Sequence, residues 1–342
     1  MSAYNVALVG ATGAVGAEFL QLLESRDFPL GELRLLASSR SAGTTIRFKG
    51  QDIVVQELTE TSFTGIDIAF FSAGGSRSKQ YAAAAVAAGA VVVDNSSAFR
   101  MDPSVPLVVP EVNPDALTDH TGIIANPNCS TILLVMVLAP LLKLAPIRRV
   151  VVSTYQAASG AGAAAMRELE TQTADVIAGN DPKPEIFPHP IAFNLFSHNT
   201  AIDDTGYNEE ELKMVKETRK ILSDDSLAVT ATCIRVPIPR AHSESVNIEF
   251  VGERPSVAAI HDALSAFPGV VVVDDRDANV FPMPRDASGR DEVFVGRIRE
   301  DLSCPNAIDL FLSGDQILKG AALNGYQIAE CLIERGLLGG RK

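Results

Sequence analysis

Six mostly apolar residues, Tyr4 to Val9, run directly into Gly10-Ala-Thr-Gly13-Ala-Val-Gly16. This junction constrains the fold more than any other segment. A strand that ends on spaced glycines and re-enters a helix needs a tight turn. The glycines also let the backbone approach a pyrophosphate seated on the helix N-terminus. Gly10, Thr12, Gly13, Ala14 and Val15 are therefore candidate cofactor contacts, although the spacing is GxxGxxG rather than GxGxxG. Strand patterns recur at 33–37, 66–72 and 90–94, with helical patterns at 17–25 and 81–88. Strands alternating with helices imply a doubly wound parallel sheet.

The pattern changes near residue 150. Strand-like segments fall at 149–154, 229–237, 245–251, 270–273, 294–298 and 309–312. Helical patterns lie at 163–178, 209–222 and 256–266, and the proline-rich stretch 180–190 reads as a loop. The expected fold class is α/β. An N-terminal Rossmann-like parallel-sheet domain (1–128) is followed by an α+β domain with a largely antiparallel sheet (129–315). The last segment, 316–342, contains a helix expected at 317–336 that returns to complete the first domain.

Composition narrows the function. A net charge of -13 argues against a nucleic-acid or anionic-membrane surface, but local arginines can still build an anion site. The most apolar run, 132–144, contains Pro140 and Lys143 and is too short to span a bilayer. Cysteines 129, 233, 304 and 331 are widely spaced. They form no metal-binding pattern, and they suit a reducing cytoplasm. The amino end carries no secretion signal.

Cys129 stands in Asn126-Pro-Asn-Cys129-Ser-Thr131, before the apolar run. Asn-Pro-Asn forces a turn, so the thiol falls near a helix N-terminus, where unpaired N–H groups favour a thiolate nucleophile. The second strand ends in Ser38-Ser-Arg40-Ser41, with no acidic residue to hold a ribose 2′-hydroxyl. Hydroxyls and an arginine match a 2′-phosphate, which favours NADP. Asp94-Asn-Ser-Ser-Ala-Phe-Arg100 follows a strand, where Arg100 could bind an anion. Tyr155-Gln156-Ala-Ala-Ser159-Gly160-Ala-Gly162 joins a strand to a helix and leaves room for a ligand. Arg235-Val-Pro-Ile-Pro-Arg240-Ala-His242-Ser243 sets two arginines and a histidine around stiffening prolines, suited to a carboxylate and to proton transfer respectively.

Taken together and in this order, these segments resemble the aspartate-semialdehyde dehydrogenases. Lys213-Met-Val-Lys-Glu-Thr-Arg-Lys and Ser313-Gly-Asp-Gln316-Ile-Leu-Lys-Gly extend the likeness over nearly the whole chain. The resemblance implies NADPH-dependent reductive dephosphorylation of L-4-aspartyl phosphate to L-aspartate 4-semialdehyde, in lysine, threonine, methionine and isoleucine biosynthesis. It makes Cys129 the acyl-thioester nucleophile, His242 the acid/base and Gln156 the group that positions substrate. Arg235 and Glu211 would bind substrate, and Arg100 and Lys213 would bind phosphate. The three consecutive glutamates 209–211 leave the choice of Glu211 open by one position. Gly10, Thr12–Val15, Arg40, Ser41, Ser159, Gly160 and Gln316 would contact NADP. The second domain would be catalytic and form much of the interface of a cytoplasmic homodimer or homotetramer. The alternatives are an N-acetyl-γ-glutamyl-phosphate reductase and a non-catalytic NADP-binding paralogue.

Overall fold

In the computed structural model, which describes residues 3–338, the chain begins with strand β1 (Tyr4–Val9), buried from Val6 onward. Helix α1 (Ala14–Ser25) leads to β2 (Leu30–Ala37). A two-stranded hairpin follows, β3 (Thr45–Phe48) with β4 (Gln51–Val54), and then the short β5 (Gln56–Glu57). Next come β6 (Ile68–Phe71), α2 (Gly75–Ala87), β7 (Val91–Asp94) and β8 (Ile123–Ala125). Six of these strands form one sheet in the order β5-β2-β1-β6-β7-β8, parallel throughout. The strand order reverses between β1 and β6, the place where doubly wound sheets bind ligands. The C-terminal helix, Leu323–Glu334, packs on β7 and α1. Its buried Asn324 donates to Val108 O at 2.9 Å and to Asn126 Oδ1 at 2.6 Å.

The chain divides into two compact units, 3–128 with 321–338 and Cys129–Gly320. The second begins with α3 (Cys129–Leu142), which is buried from Ser130 to Leu141. A helix apolar all round is a core helix, and its lack of periodicity follows from that. Pro140 sits in its last turn, and the helix continues past it to Leu142. Then come β9 (Ile147–Gln156), α4 (Ala163–Ile177), β10 (Phe196–Ser197), α5 (Glu209–Leu222), β11 (Ala228–Arg235) and β12 (His242–Phe250). Helix α6 (Val257–Ser265) and strands β13 (Val270–Val272), β14 (Val293–Glu300) and β15 (Ala307–Gly314) complete it. The sheet order is β10-β11-β9-β12-β15-β14-β13. Four pairings are antiparallel, while β9 with β11 and β13 with β14 are parallel, so the sheet is mixed.

Two helices differ most from the sequence reading. Helix α2 starts at Gly75, six residues before the expected 81, because its first turns are polar and carry no apolar signal. The expected helix 317–336 is two pieces, a wide π-helical turn over Leu318–Ala322 and the α-helix Leu323–Glu334. Asp315 Oδ1 accepts the N–H groups of Ile317 and Leu318 and anchors the start of the wide turn.

Candidate active site

In the first unit the glycine turn adopts the geometry its sequence demands. Gly10 has φ +92, and a Cβ there would lie 2.4 Å from Ser72 O at the end of β6. A Cβ on Gly16 would lie 2.4 Å from Gly10 O. Only bare backbone fits at these two positions. Beside the turn is a cavity of about 340 Å³ lined by Gly10, Thr12, Gly13, Arg40 and Ser41. Ala14 and Val15 are the first residues of α1, just past the N-cap Gly13. The cavity also takes in Arg77 and Ser38. Arg77 escaped the sequence reading; the signal was its place two residues after Gly74-Gly75, in the first turn of a helix leaving a parallel strand. A bare-backbone cradle with arginines and hydroxyls at its rim fits a dinucleotide that carries an extra phosphate.

Arg100 is buried in the same unit. Its Nε donates to Asn126 O at 2.9 Å and its Nη2 to Asn95 O at 3.0 Å. Asp94, at the end of β7, accepts from Ser78 Oγ at 2.6 Å and from Ser96 Oγ at 2.7 Å. Burial raises its pKa, against these hydrogen bonds.

In the second unit Cys129 is the first residue of α3, so its thiol stands at the positive end of the helix dipole. A Cβ on Gly320 would lie 2.9 Å from Cys129 Cβ, so that position needs a glycine too. Gln156 ends β9, and its Nε2 donates to Ser130 Oγ at 3.1 Å and to Glu210 Oε1 at 3.4 Å. This ties the strand end to the residue following Cys129. Register places Arg235 directly opposite Gln156, and His242 opposite Gly314 at the start of β12. Arg235, Gln156 and His242 are all buried.

Arg235 Nη1 donates to Ala157 O at 2.8 Å, and its Nη2 to His198 Nε2 at 2.8 Å. Its guanidinium lies over the Phe187 ring, 5.5 Å from the centroid. Burial presses its pKa down and Glu210 opposes this; the group stays charged. The Ala157 N–H donates to His242 Nδ1 at 3.0 Å. A backbone amide can only donate, so the neutral ring carries its hydrogen on Nε2. Burial, then Arg235, hold the His242 pKa well below the usual histidine range. Two buried nitrogens of this row, Arg235 Nε and His242 Nε2, meet no hydrogen-bond partner among the described residues. A Cβ on Gly160 would lie 2.9 Å from Arg235 Nη1 and 3.1 Å from His242 Nε2. The glycine leaves both side chains their place.

The glutamates separate. Glu211 is spent on backbone: its Oε2 accepts Asn208 N–H at 2.9 Å in a capping box, and its Oε1 accepts Cys233 N–H at 3.0 Å. Glu210 faces Gln156, and Lys213 Nζ lies 3.5 Å from its Oε2 and 3.1 Å from Glu209 Oε1. Gln316 Oε1 accepts Ala241 N–H at 2.9 Å, and its Nε2 donates to Ser159 Oγ. The structure thus brings Gln156, Arg235, His242 and Gly160 together and sets Gln316 on Ser159. His198 is a neighbour that the sequence reading missed, and Glu210 is the one-position alternative to Glu211 that it left open. Cys233 lies beneath the row, its thiol pushed well up by burial and so inert.

Known proteins match both units. A family model described as "Semialdehyde dehydrogenase, NAD binding domain" matches residues 5–120, and one described as "Semialdehyde dehydrogenase, dimerisation domain" matches 138–319. The aspartate-semialdehyde dehydrogenase of Synechocystis is 57% identical over 98% of this chain and 99% of its own. A crystal structure of aspartate semialdehyde dehydrogenase II from Vibrio cholerae, complexed with ASA, superposes with a TM-score of 0.94. It is 44% identical and covers 98% of this chain and 99% of that one. The Candida albicans enzyme with NADP gives a TM-score of 0.78 at 28% identity, covering 98% of this chain and 100% of that one.

Proposed function

Because the chain belongs to the aspartate-semialdehyde dehydrogenase family, we propose the following roles for its own residues in the NADPH-dependent reduction of L-4-aspartyl phosphate to L-aspartate 4-semialdehyde. The observation that carries the reading is the buried row Arg235–Gln156–His242, tied through Ser130 to Cys129, with two N–H donors that lack a partner among the described residues. Buried donors need an acceptor, and a substrate carboxylate and an acyl oxygen supply them. Comparison with known proteins does not favour the acetylglutamyl alternative.

The Cys129 sulfur, as the thiolate that the start of α3 favours, attacks the acyl carbon. The C–S bond forms, the C–O bond to phosphorus breaks, and the phosphate leaves with a proton from solvent. NADPH, when bound, supplies the hydride that reduces the thioester. Collapse of the tetrahedral adduct breaks the C–S bond and returns the thiolate with the aldehyde. His242 Nε2–H holds the oxyanion, and Gln156, its amide hydrogens on Ser130 and Glu210, positions the substrate. His242 thereby acts as a donor; its Nδ1 is filled by Ala157 N–H, so the ring is not the base for the Cys129 proton.

Arg235 takes the substrate carboxylate. Glu210, rather than Glu211, faces the substrate ammonium, because both Glu211 oxygens serve the backbone. Arg100 and Lys213 receive the phosphate. The unit 3–128 with 321–338 holds NADP through the glycine turn, Arg40, Ser41 and Arg77; Ser159, Gly160 and Gln316 belong to the same contact set. The unit Cys129–Gly320 is the catalytic and dimerisation domain. Exposed Tyr155 and Thr232, on β9 and β11, support its outer sheet face as the surface of a homodimer or homotetramer. The chain's four cysteines, none in a disulfide, suit the cytoplasm.

The test is phosphate-dependent reduction of NADP by L-aspartate semialdehyde. Wild type should turn over only with phosphate or arsenate present, and Cys129→Ala should lose at least about 10³-fold in kcat. Comparable rates in the two would remove the nucleophile.

A further inference from the structure

Arg235 is held by more than the strand it ends. Its Nη2 donates to His198 Nε2 at 2.8 Å, and a guanidinium has no acceptor atom. His198 Nε2 must therefore accept, which places the ring's one hydrogen on Nδ1. That nitrogen lies 3.2 Å from Thr200 Oγ1. The same hydroxyl oxygen accepts Glu210 N–H at 3.2 Å. His198 itself is pinned, because its backbone N–H donates to Cys233 O at 2.8 Å, next to the end of β11. Burial brings its pKa down to about 4, with Arg235 and Lys213 pushing the same way and Glu210 opposing.

We propose that His198 is a positioning residue, a hydrogen-bond acceptor that fixes the orientation of Arg235 and through it sets the affinity for a substrate carboxylate. The inference rests on the reading of Arg235 given above. The mechanism gives His198 no contact with the reacting atoms. An arginine side chain has many rotamers, and each contact on one Nη narrows where the remaining N–H groups point. Ala157 O fixes Nη1, Phe187 sets the plane, and His198 fixes Nη2. Without His198 the guanidinium keeps its charge and its pocket and loses its aim. Weaker ground-state binding of the carboxylate follows, with the chemical step little changed.

The experiment compares His198→Ala, His198→Gln and Arg235→Lys in the phosphate-dependent oxidation of L-aspartate semialdehyde, with kcat and KM separated. His198→Ala should raise the KM for the aldehyde roughly tenfold while kcat stays within about twofold, the signature of lost uniform binding. His198→Gln, whose amide oxygen can accept from Nη2, should recover most of that KM. An unchanged KM in His198→Ala would overturn the proposal. So would equal losses of kcat in the Ala and Gln variants with KM untouched, which mark a structural role. Arg235→Lys keeps the two questions apart. A raised KM there beside a normal KM in His198→Ala overturns the positioning role and leaves the carboxylate reading standing. A normal KM in Arg235→Lys overturns the carboxylate reading, and the proposal falls with it.

Discussion

At the scale of single residues, the chemistry is set by which atoms are already occupied. His242 has one nitrogen taken by a backbone amide and the other without a partner among the described residues. A glutamine amide can offer N–H near the Nε2 position, whereas a shorter asparagine amide cannot. His242→Gln should therefore lose less than about tenfold in kcat, and His242→Asn on the order of 10²–10³-fold, the cost of one oxyanion donor. Equal kcat values for the two would rule out the donor role. Gly160 makes a second prediction. A methyl there would press on Arg235 Nη1 and His242 Nε2 at once. Gly160→Ala should cut kcat/KM by about 10–100-fold with little change in melting temperature, since it displaces Arg235 and His242 rather than core. A steady-state assay beside a thermal melt separates the two effects.

Elements decide how much of this could be read beforehand. Gly10, Cys129 and the Arg235–His242 loop were legible because a turn or a helix start is written in adjacent residues. The choice between Glu210 and Glu211 was not. One step along a helix rotates a side chain by about 100°; both glutamates are buried, and only their partners show that Glu211 is spent on backbone while Glu210 meets Gln156. His198 was illegible for a different reason: its partner lies 37 residues away in sequence. The proline-rich loop reads as irregular in sequence yet is held fast. Glu168 of α4 accepts the N–H groups of Glu185 and Ile186, and Gln172 Oε1 accepts that of Ile191. This brings Phe187 to Arg235. The strand β12 carries a further surprise in Glu244, fully buried, with neither oxygen hydrogen-bonded among the described residues. Burial raises its pKa well above the ordinary 4.5. In the unfolded chain this carboxyl ionises near that value while the folded chain keeps its proton. The unfolded state then binds fewer protons, and stability falls as pH rises from about 4.5 towards the folded pKa. Glu244→Gln removes the effect. Its melting temperature should match wild type near pH 4.5 and exceed it increasingly towards pH 8, by about 2–4 °C for each kcal/mol. Melting curves that stay parallel across this range would show that Glu244 is ionised in the fold.

For the whole molecule, the division at Asn128 and Ala321 matters most. The first unit is assembled from two separated pieces of chain, and Asn324 is one buried stitch between them, bonded to Val108 and Asn126. A chain ending at Gly320 should lose the parallel-sheet unit and NADP binding, while Cys129–Gly320 keeps its own core. Calorimetry should show one retained transition in place of two, and loss of both transitions would mean that the second unit does not stand alone. The same division fixes an order of events during synthesis. On the ribosome, the segment that begins with Cys129 is complete before the last helix of the first unit has emerged. The nucleotide-holding half, though started first, must wait unfinished through nearly two hundred residues of translation. Its half-built parallel sheet, with an uncovered apolar face, is then what a chaperone would meet.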